Sequence, residues 1–292
     1  MFSILVANYN NGRFIKEAFE SILAQTFTNW EVIIVDDGSE DDSINIIQPY
    51  LSDSRFKLYL NDKNYGCGYT KAKCIDLSNG SICGFLDPDD TLEISALQKM
   101  IFAHTEHPEC SLVYSDHYIC DATLSNKKIS PYTGKIEIGF SYLVNPNRKV
   151  IHHFASFKKA FYNRGIKLDV TLQKAVDQDL YYKLEETGPS YYIPEPLYNY
   201  RIHDKGISTL NNINAAAVIH FQLRINAFAR RKNNAILNSF YPKDKSLFNY
   251  QLLRSRFYLD RYSGHTTKAI IRFPIMFLAK PEQFVKDYFS KK

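Results

Sequence analysis

Trp30-Glu31-Val32-Ile33-Ile34-Val35-Asp36-Asp37-Gly38-Ser39 is the stretch whose reading decides the fold. A β-branched apolar run of this length, closed by two acids, a glycine and a serine, is a strand running into a turn. Working outward, residues 3–9 (SILVANY) form a second such strand. Between the two, Phe14, Ile15, Ala18, Phe19, Ile22 and Leu23 recur at helical spacing. Downstream, residues 40–51 (EDDSINIIQPYL) predict a short helix opened by Asp and Ser, 55–61 (RFKLYLN) a strand, 70–78 (TKAKCIDLS) a helix and 81–87 (SICGFLD) a strand. Strands alternating with helices of about 10–15 residues predict an α/β fold, a Rossmann-like, mostly parallel sheet with right-handed crossovers. Ligands of such sheets bind beyond the carboxyl ends of the strands. Asp36-Asp37-Gly38-Ser39 and Asp87-Pro88-Asp89-Asp90 each fall at such an end, so two acidic clusters are expected to face one crevice.

Past residue 111 the alternation loosens. Residues 111–116 (SLVYSD) read as a strand, 121–150 as polar and turn-rich, 155–165 and 175–188 as helices, and 190–203 (SYYIPEPLYNYRIH) as strand-like around its prolines. From Asn211 the pattern is helical. The organisation predicted is one α/β domain over 1–210 and a basic helical region over 211–292.

Charge follows the same division. Residues 1–200 carry 19 Lys/Arg against 26 Asp/Glu, whereas 201–292 carry 17 against 5. Such asymmetry points to an anionic partner for the basic part. In residues 269–292, bulky apolar side chains mix with Arg272, Lys280, Lys286, Lys291 and Lys292, with Lys268 just ahead. That composition suits an anionic headgroup layer rather than nucleic acid. The alternative use of these helices is packing on the catalytic domain or on another copy of the chain, as a homo-oligomer, with Pro274 and Pro281 interrupting a long surface helix.

The five cysteines show no metal-binding spacing and their odd count argues against a disulfide framework, which suits a reducing cytoplasm. The amino terminus does not read as a signal peptide, and the apolar run FPIMFLA is far short of the ~20 residues that span a bilayer. No G-x-G-x-x-G or G-x-x-x-x-G-K-[ST] occurs, which disfavours dinucleotide and P-loop sites.

Each acidic cluster has a plain structural use. Asp36, Asp37 or Ser39 can cap a turn, and acids at 87–90 can favour a helix amino terminus, with Asp90 or Thr91 as cap. Three acids exceed what capping needs. Mg²⁺ or Mn²⁺ typically takes one or two protein carboxylates and completes its shell with diphosphate oxygens.

Taken together, residues 6–43 (VANYNNGRFIKEAFESILAQTFTNWEVIIVDDGSEDDS), 64–74 (NYGCGYTKAKC) and 84–90 (GFLDPDD) resemble family 2 glycosyltransferases of the GT-A fold, over roughly residues 2–208. The resemblance implies a nucleotide-sugar donor, usually a UDP-sugar, with a divalent cation on its diphosphate. It places Asp37 on the base, with Asp36 beside it and the backbone of Ala7 and Tyr9 flanking. Many members have proline where this chain has Ala7. It also places Asp87 on the ribose or in the metal shell, Asp89 on the metal and Lys71 beside the nucleotide. The family's catalytic base matches Asp177 in AVDQDLYYKL, where Val176 replaces the usual glutamate and Asp179 follows. In YNYRIHDKGIS, His203 is implied as a metal or diphosphate ligand, with Arg201 and Lys205 as alternatives for neutralising the diphosphate. The implied reaction is an inverting transfer to a saccharide or lipid-linked saccharide by a cytoplasmic enzyme, peripheral on the inner face of the plasma membrane. A nucleotidyltransferase and a non-catalytic sugar- or partner-binding relative remain the alternatives.

Overall fold

A computed structural model describes residues 1–147, 149–204, 213–232, 234 and 237–289. The chain divides into two units, one of Met1–Lys135 with Val150–Asp204, the other of Ile136–Lys149 with Lys205–Lys292.

The first unit opens with β1 (Phe2–Asn8), α1 (Gly12–Leu23), β2 (Trp30–Asp36), α2 (Ser43–Ile47), β3 (Phe56–Leu60), α3 (Cys67–Leu77) and β4 (Ile82–Phe85). Every residue of β2 is buried, which is what a strand between two parallel neighbours and under helices requires. It continues with β5 (Thr91–Leu92), α4 (Ala96–Glu106), β6 (Leu112–Cys120), β7 (Lys127–Ile129), β8 (Ala155–Lys158), α5 (Lys159–Tyr162), α6 (Val176–Glu185) and β9 (Ser190–Arg201). The strand order is β3-β2-β1-β4-β8-β6-β9-β5, with β7 on β6. The run from β3 to β4 is parallel, β8 is antiparallel to both of its neighbours, and β9 is parallel to β6. Phe2, Ile4 and Val6 of β1, Ile15 and Phe19 of α1 and Val32 and Ile34 of β2 share one core with Leu97 and Met100 of α4.

Register aligns the strand ends. Asn8 pairs with Asp36, Asp36 with Leu60, and Leu5 with Phe85, so the turns after β1, β2 and β4 leave from the same edge. At the opposite end of β2, buried Glu31 accepts from Ser3 Oγ at 2.7 Å, from the backbone N–H groups of Asn79 and Gly80, and from Lys57 Nζ at 2.7 Å. Burial alone would raise its pKa, but Lys57, Ser3 and Asn79 outweigh it and lower it to about 2.

Residues 155–165 depart from the helix expected of them. Ala155–Lys158 is β8, pairing Phe157 with Cys83 and with Leu112, and only Lys159–Tyr162 is helical. A vacant place between β4 and β6 overrides the local helical spacing. The acids at 87–90 do not open a helix either: α4 begins after Ser95, and Asp90 leads into β5.

The second unit holds α7 (Ile213–Arg231), α8 (Leu237–Phe240), α9 (Phe248–Tyr262), α10 (Thr266–Ala279) and α11 (Pro281–Tyr288). Tyr250, Phe257, Ala269, Met276 and Phe284 form its core. Residues 136–149 join through Ser141, whose N–H and hydroxyl donate to Asp244, and through Leu143, whose carbonyl accepts from Arg224. Pro274 lies inside α10 without ending it, while Pro281 starts α11, where its missing N–H is no loss. Among the described residues no helix is long and apolar enough to cross a membrane.

Candidate active site

The turns after β1 and β2 are laced together. Asn8 Nδ2 donates to Asp36 Oδ2 at 2.7 Å, and Asp36 also accepts from the Ser39 N–H and hydroxyl. Asn10, at φ 56°, accepts the Glu40 N–H on its side-chain oxygen, and Asp41 accepts the Gly12 N–H. Asp36 is 2 % exposed and both its oxygens are engaged by Asn8 and Ser39. Asp37 is also buried. Its Oδ1 accepts from Asn61 Nδ2 at 2.6 Å and the Tyr65 N–H, and its Oδ2 from the Gly66 N–H at 2.8 Å. Ala7 sits half-buried near the end of β1 and Tyr9, just beyond, is 43 % exposed.

Gly66, at φ 94°, lets the 61–66 loop turn into α3, and a side chain there would collide with Gln173. Gly68 packs its backbone against residues 169–172, donating its N–H to the Leu172 carbonyl. The segment leading to α6 is thereby brought onto α3.

That approach decides the position of Lys71. Its ammonium, buried within α3, donates to both oxygens of Asp177 at 2.8 and 3.0 Å and lies 3.1 Å from Asp87 Oδ1. Burial pulls its pKa down, yet Asp177 and Asp87 together hold it well above the ordinary lysine value. Asp87 is pulled up by burial and brought below its ordinary value by Lys71 and by His153, whose Nε2 lies 3.4 Å from Asp87 Oδ2. Lys71 therefore joins two carboxylates. Lys73 donates to Asn61 Oδ1 at 2.7 Å and so supports Asp37 through Asn61.

Asp177 stands in the first turn of α6, behind an N-cap at Ala175, and Asp179 is held by Lys183. Asp89 and His203 meet directly, Oδ2 to Nε2, at 2.9 Å, with the imidazole against Phe14. Asp90 points the other way. Buried, it accepts from the Tyr198 hydroxyl at 2.8 Å and the Arg201 N–H at 2.7 Å, and burial with repulsion from Asp89 and Asp87 raises its pKa well above the usual carboxylate range. The Arg201 guanidinium donates to the carbonyls of Asp89 and Ala122 and to Glu17. Lys205 lies outside the described residues, as do Lys291 and Lys292.

The donor set at Asp89 and His203 fits a divalent cation in one respect. It offers one hard oxygen and one imidazole, here hydrogen-bonded to each other, with the Asp89 side chain 24 % exposed. Among the described residues no group of three or more His, Cys, Asp or Glu could hold an ion alone, so any remaining ligands would come from substrate or water.

The residues sequence reasoning missed are Asn61, Lys73, Tyr198 and His153. His153 stacks on Tyr198, and His152 behind it packs on His117 and leaves its Nδ1 buried without a hydrogen-bond partner. The His152-His153 doublet just before an apolar run was the available signal; without the β8 assignment it had no address.

Both acidic turns leave the edge of the sheet where ligands of α/β folds bind, one of them carrying an Asp–His pair. The sequence profile of glycosyl transferase family 2 matches residues 3–171, and the chain belongs to that family. It is 30 % identical over 211 residues to a chondroitin synthase of Escherichia coli, covering 70 % of this chain and 29 % of that protein. It is 30 % identical over 220 residues to the glycosyltransferase EpsH of Bacillus subtilis, covering 69 % and 60 %. The chain thus spans less than two-thirds of the length of these relatives. In fold it is similar to S. aureus TarS in complex with UDP-GlcNAc, with a TM-score of 0.73 at 16 % identity over 98 % of this chain and 83 % of that one. It is also similar to the mannosyltransferase PcManGT from Pyrobaculum calidifontis in complex with GDP-Man and Mn²⁺, with a TM-score of 0.62 at 13 % identity over 99 % and 76 %. The fold is GT-A-like, a mixed α/β sheet followed by a helical carboxyl-terminal region.

Proposed function

We propose that this chain moves a hexosyl or N-acetylhexosaminyl group from a UDP-sugar to a hydroxyl of a saccharide or lipid-linked saccharide, with inversion, in assembly of a surface polysaccharide. One observation carries the reading: Asp177, 106 residues from Lys71 in sequence, is fixed by it beside Asp87 at the edge where β4 ends. The relatedness to polysaccharide synthases and the TarS complex with UDP-GlcNAc support the donor and acceptor class.

In this reading Asp37 Oδ2, which accepts one backbone bond, takes the imide N–H of the base, and the Ala7–Tyr9 backbone flanks it. Asp87 meets the ribose or the metal shell. Asp177 takes the proton from the acceptor hydroxyl as its oxygen bonds to the anomeric carbon. The bond from that carbon to the diphosphate breaks, and its electron pair leaves with UDP. A carboxylate so placed contributes ~10²–10⁴ in rate. Asp89 and His203 would hold Mn²⁺ or Mg²⁺, which when bound offsets the charge on the diphosphate. A lipid-linked acceptor places the enzyme against the inner face of the plasma membrane.

The test is a screen of nucleotide sugars with Mn²⁺ present, followed by acceptor transfer. Release of UDP with inversion supports the reading. Release of pyrophosphate makes the chain a nucleotidyltransferase, and transfer unchanged in Asp177→Asn removes the base.

A further inference from the structure

The helix α10 uses less of its surface for its own core than it leaves bare. Ala269 and Met276 are buried and Phe273 packs with them. Ile270, Ile271, Ile275, Phe277 and Leu278 are all exposed, Leu278 at 76 %. At ~3.6 residues per turn these five, with Pro274, cover about 160° of the helix circumference without a break. Val285 and Phe289, one turn apart at the end of α11, add exposed apolar surface. Lys268 and Lys286 are exposed on the same helices.

We infer that the bare face of α10 lies in the headgroup layer of an anionic bilayer. This deepens the membrane part of the proposed function and rests on it, but not on the chemistry of the site. An interfacial helix needs a broad apolar face, basic residues near it and too little length to span, and α10 has all three. Charge selects the occupant. Residues 201–292 carry 17 Lys/Arg against 5 Asp/Glu, so two copies meeting through this face would bring like charges together, whereas anionic lipid complements them.

Flotation of the full chain with vesicles of phosphatidylcholine alone, or with a third phosphatidylglycerol, tests the inference. Binding to the anionic vesicles is expected, weakened by salt. Ile271→Glu and Leu278→Glu should each lower the partition coefficient by about tenfold while leaving UDP affinity unchanged. Absence of vesicle binding, equal binding to the neutral vesicles, or a dimer in sedimentation equilibrium that the same substitutions dissolve would overturn it.

A separate observation carries a second inference, which rests on Asp177 as base. The geometry points to Lys71 as the positioning residue for Asp177, tying it to the Asp87 turn. Lys71→Met should lower kcat by about 10²-fold, as expected for a displaced base. Lys71→Arg should recover part of the loss. Because the lysine acts through Asp177, the double variant Lys71→Met/Asp177→Asn should be no slower than Asp177→Asn alone. Multiplying losses, or no recovery in Lys71→Arg, would overturn this assignment and leave the base in place. Full activity of Asp177→Asn would remove the base first.

Discussion

At the end of β2, Asp36 and Asp37 are buried and give their oxygens to Asn8, Ser39, Asn61 and the backbone of residues 65–66. After β4, Asp87 and Asp89 keep 28 % and 24 % of their side chains exposed and meet Lys71, His153 and His203. Two acidic turns at one sheet edge thus differ in how their charge is met. The first has its carboxylates engaged by neighbouring loops, and the second keeps part of its charge exposed. The cause lies in the segment downstream of each strand. After β2 the chain doubles back through residues rich in short donors, whereas after β4 it runs toward β9, which brings imidazole and guanidinium. Acid content alone does not distinguish these fates; the supply of backbone N–H groups within reach does.

The comparison is open to attack. The largest effect is expected at Asp89→Ala, which should lower transfer by about 10³-fold or more, on the order of an electrostatic group lost from a reacting centre, and abolish any gain in UDP affinity from Mn²⁺ measured by titration calorimetry. A retained metal effect would detach the exposed turn from the diphosphate. Asp177→Asn should come next, with kcat down ~10²–10⁴ and UDP affinity intact in the same titration. Asp36→Ala should act on stability instead, leaving the Asn8 amide and the Ser39 N–H unpaired at a cost of about 1–3 kcal/mol in urea unfolding. A variant of normal stability with lost nucleotide binding would put Asp36 itself on the nucleotide. The smallest effect concerns pH. Glu31, at the far end of β2, has its folded pKa lowered from 4.5 to about 2. A depressed carboxyl contributes stability that is complete above its unfolded pKa and lost as pH falls toward 2. Thermal unfolding of Glu31→Gln should therefore be less steeply dependent on pH between about 4.5 and 2 than that of the parent.

Much of the parallel half was legible because each of its strands is continuous, apolar and punctuated. WEVIIVDDGS could be little else, and the helix faces between strands repeat at helical spacing. The antiparallel half was not. Ala155–Lys158 carries a pattern equally good for a helix, and what makes it a strand is the gap between Cys83 and Leu112. The candidate site divides in the same way. Asp87, Asp89, Asp177 and His203 came from local motifs and from the family resemblance. The partners of Lys71 did not, because a lysine in a helix says nothing about which carboxylate will arrive from 106 residues away. For Asp36 the motif shows the acid and Ser39 but not Asn8, which reaches it from the neighbouring strand across 28 residues of sequence.

The strand β9 has a consequence for the order in which the molecule is made. It is the last strand of its unit, and it delivers Tyr198 and Arg201 to Asp90 and leads to His203 beside Asp89, across 108, 111 and 114 residues of sequence. On a ribosome the parallel strands from β1 to β4 can emerge and associate early, as amino-terminal segments do. Asp89 and Asp90 must wait for some hundred residues more. A nascent chain arrested before β9 would hold Asp87 against Lys71 but leave Asp89 and Asp90 without Arg201, Tyr198 and His203.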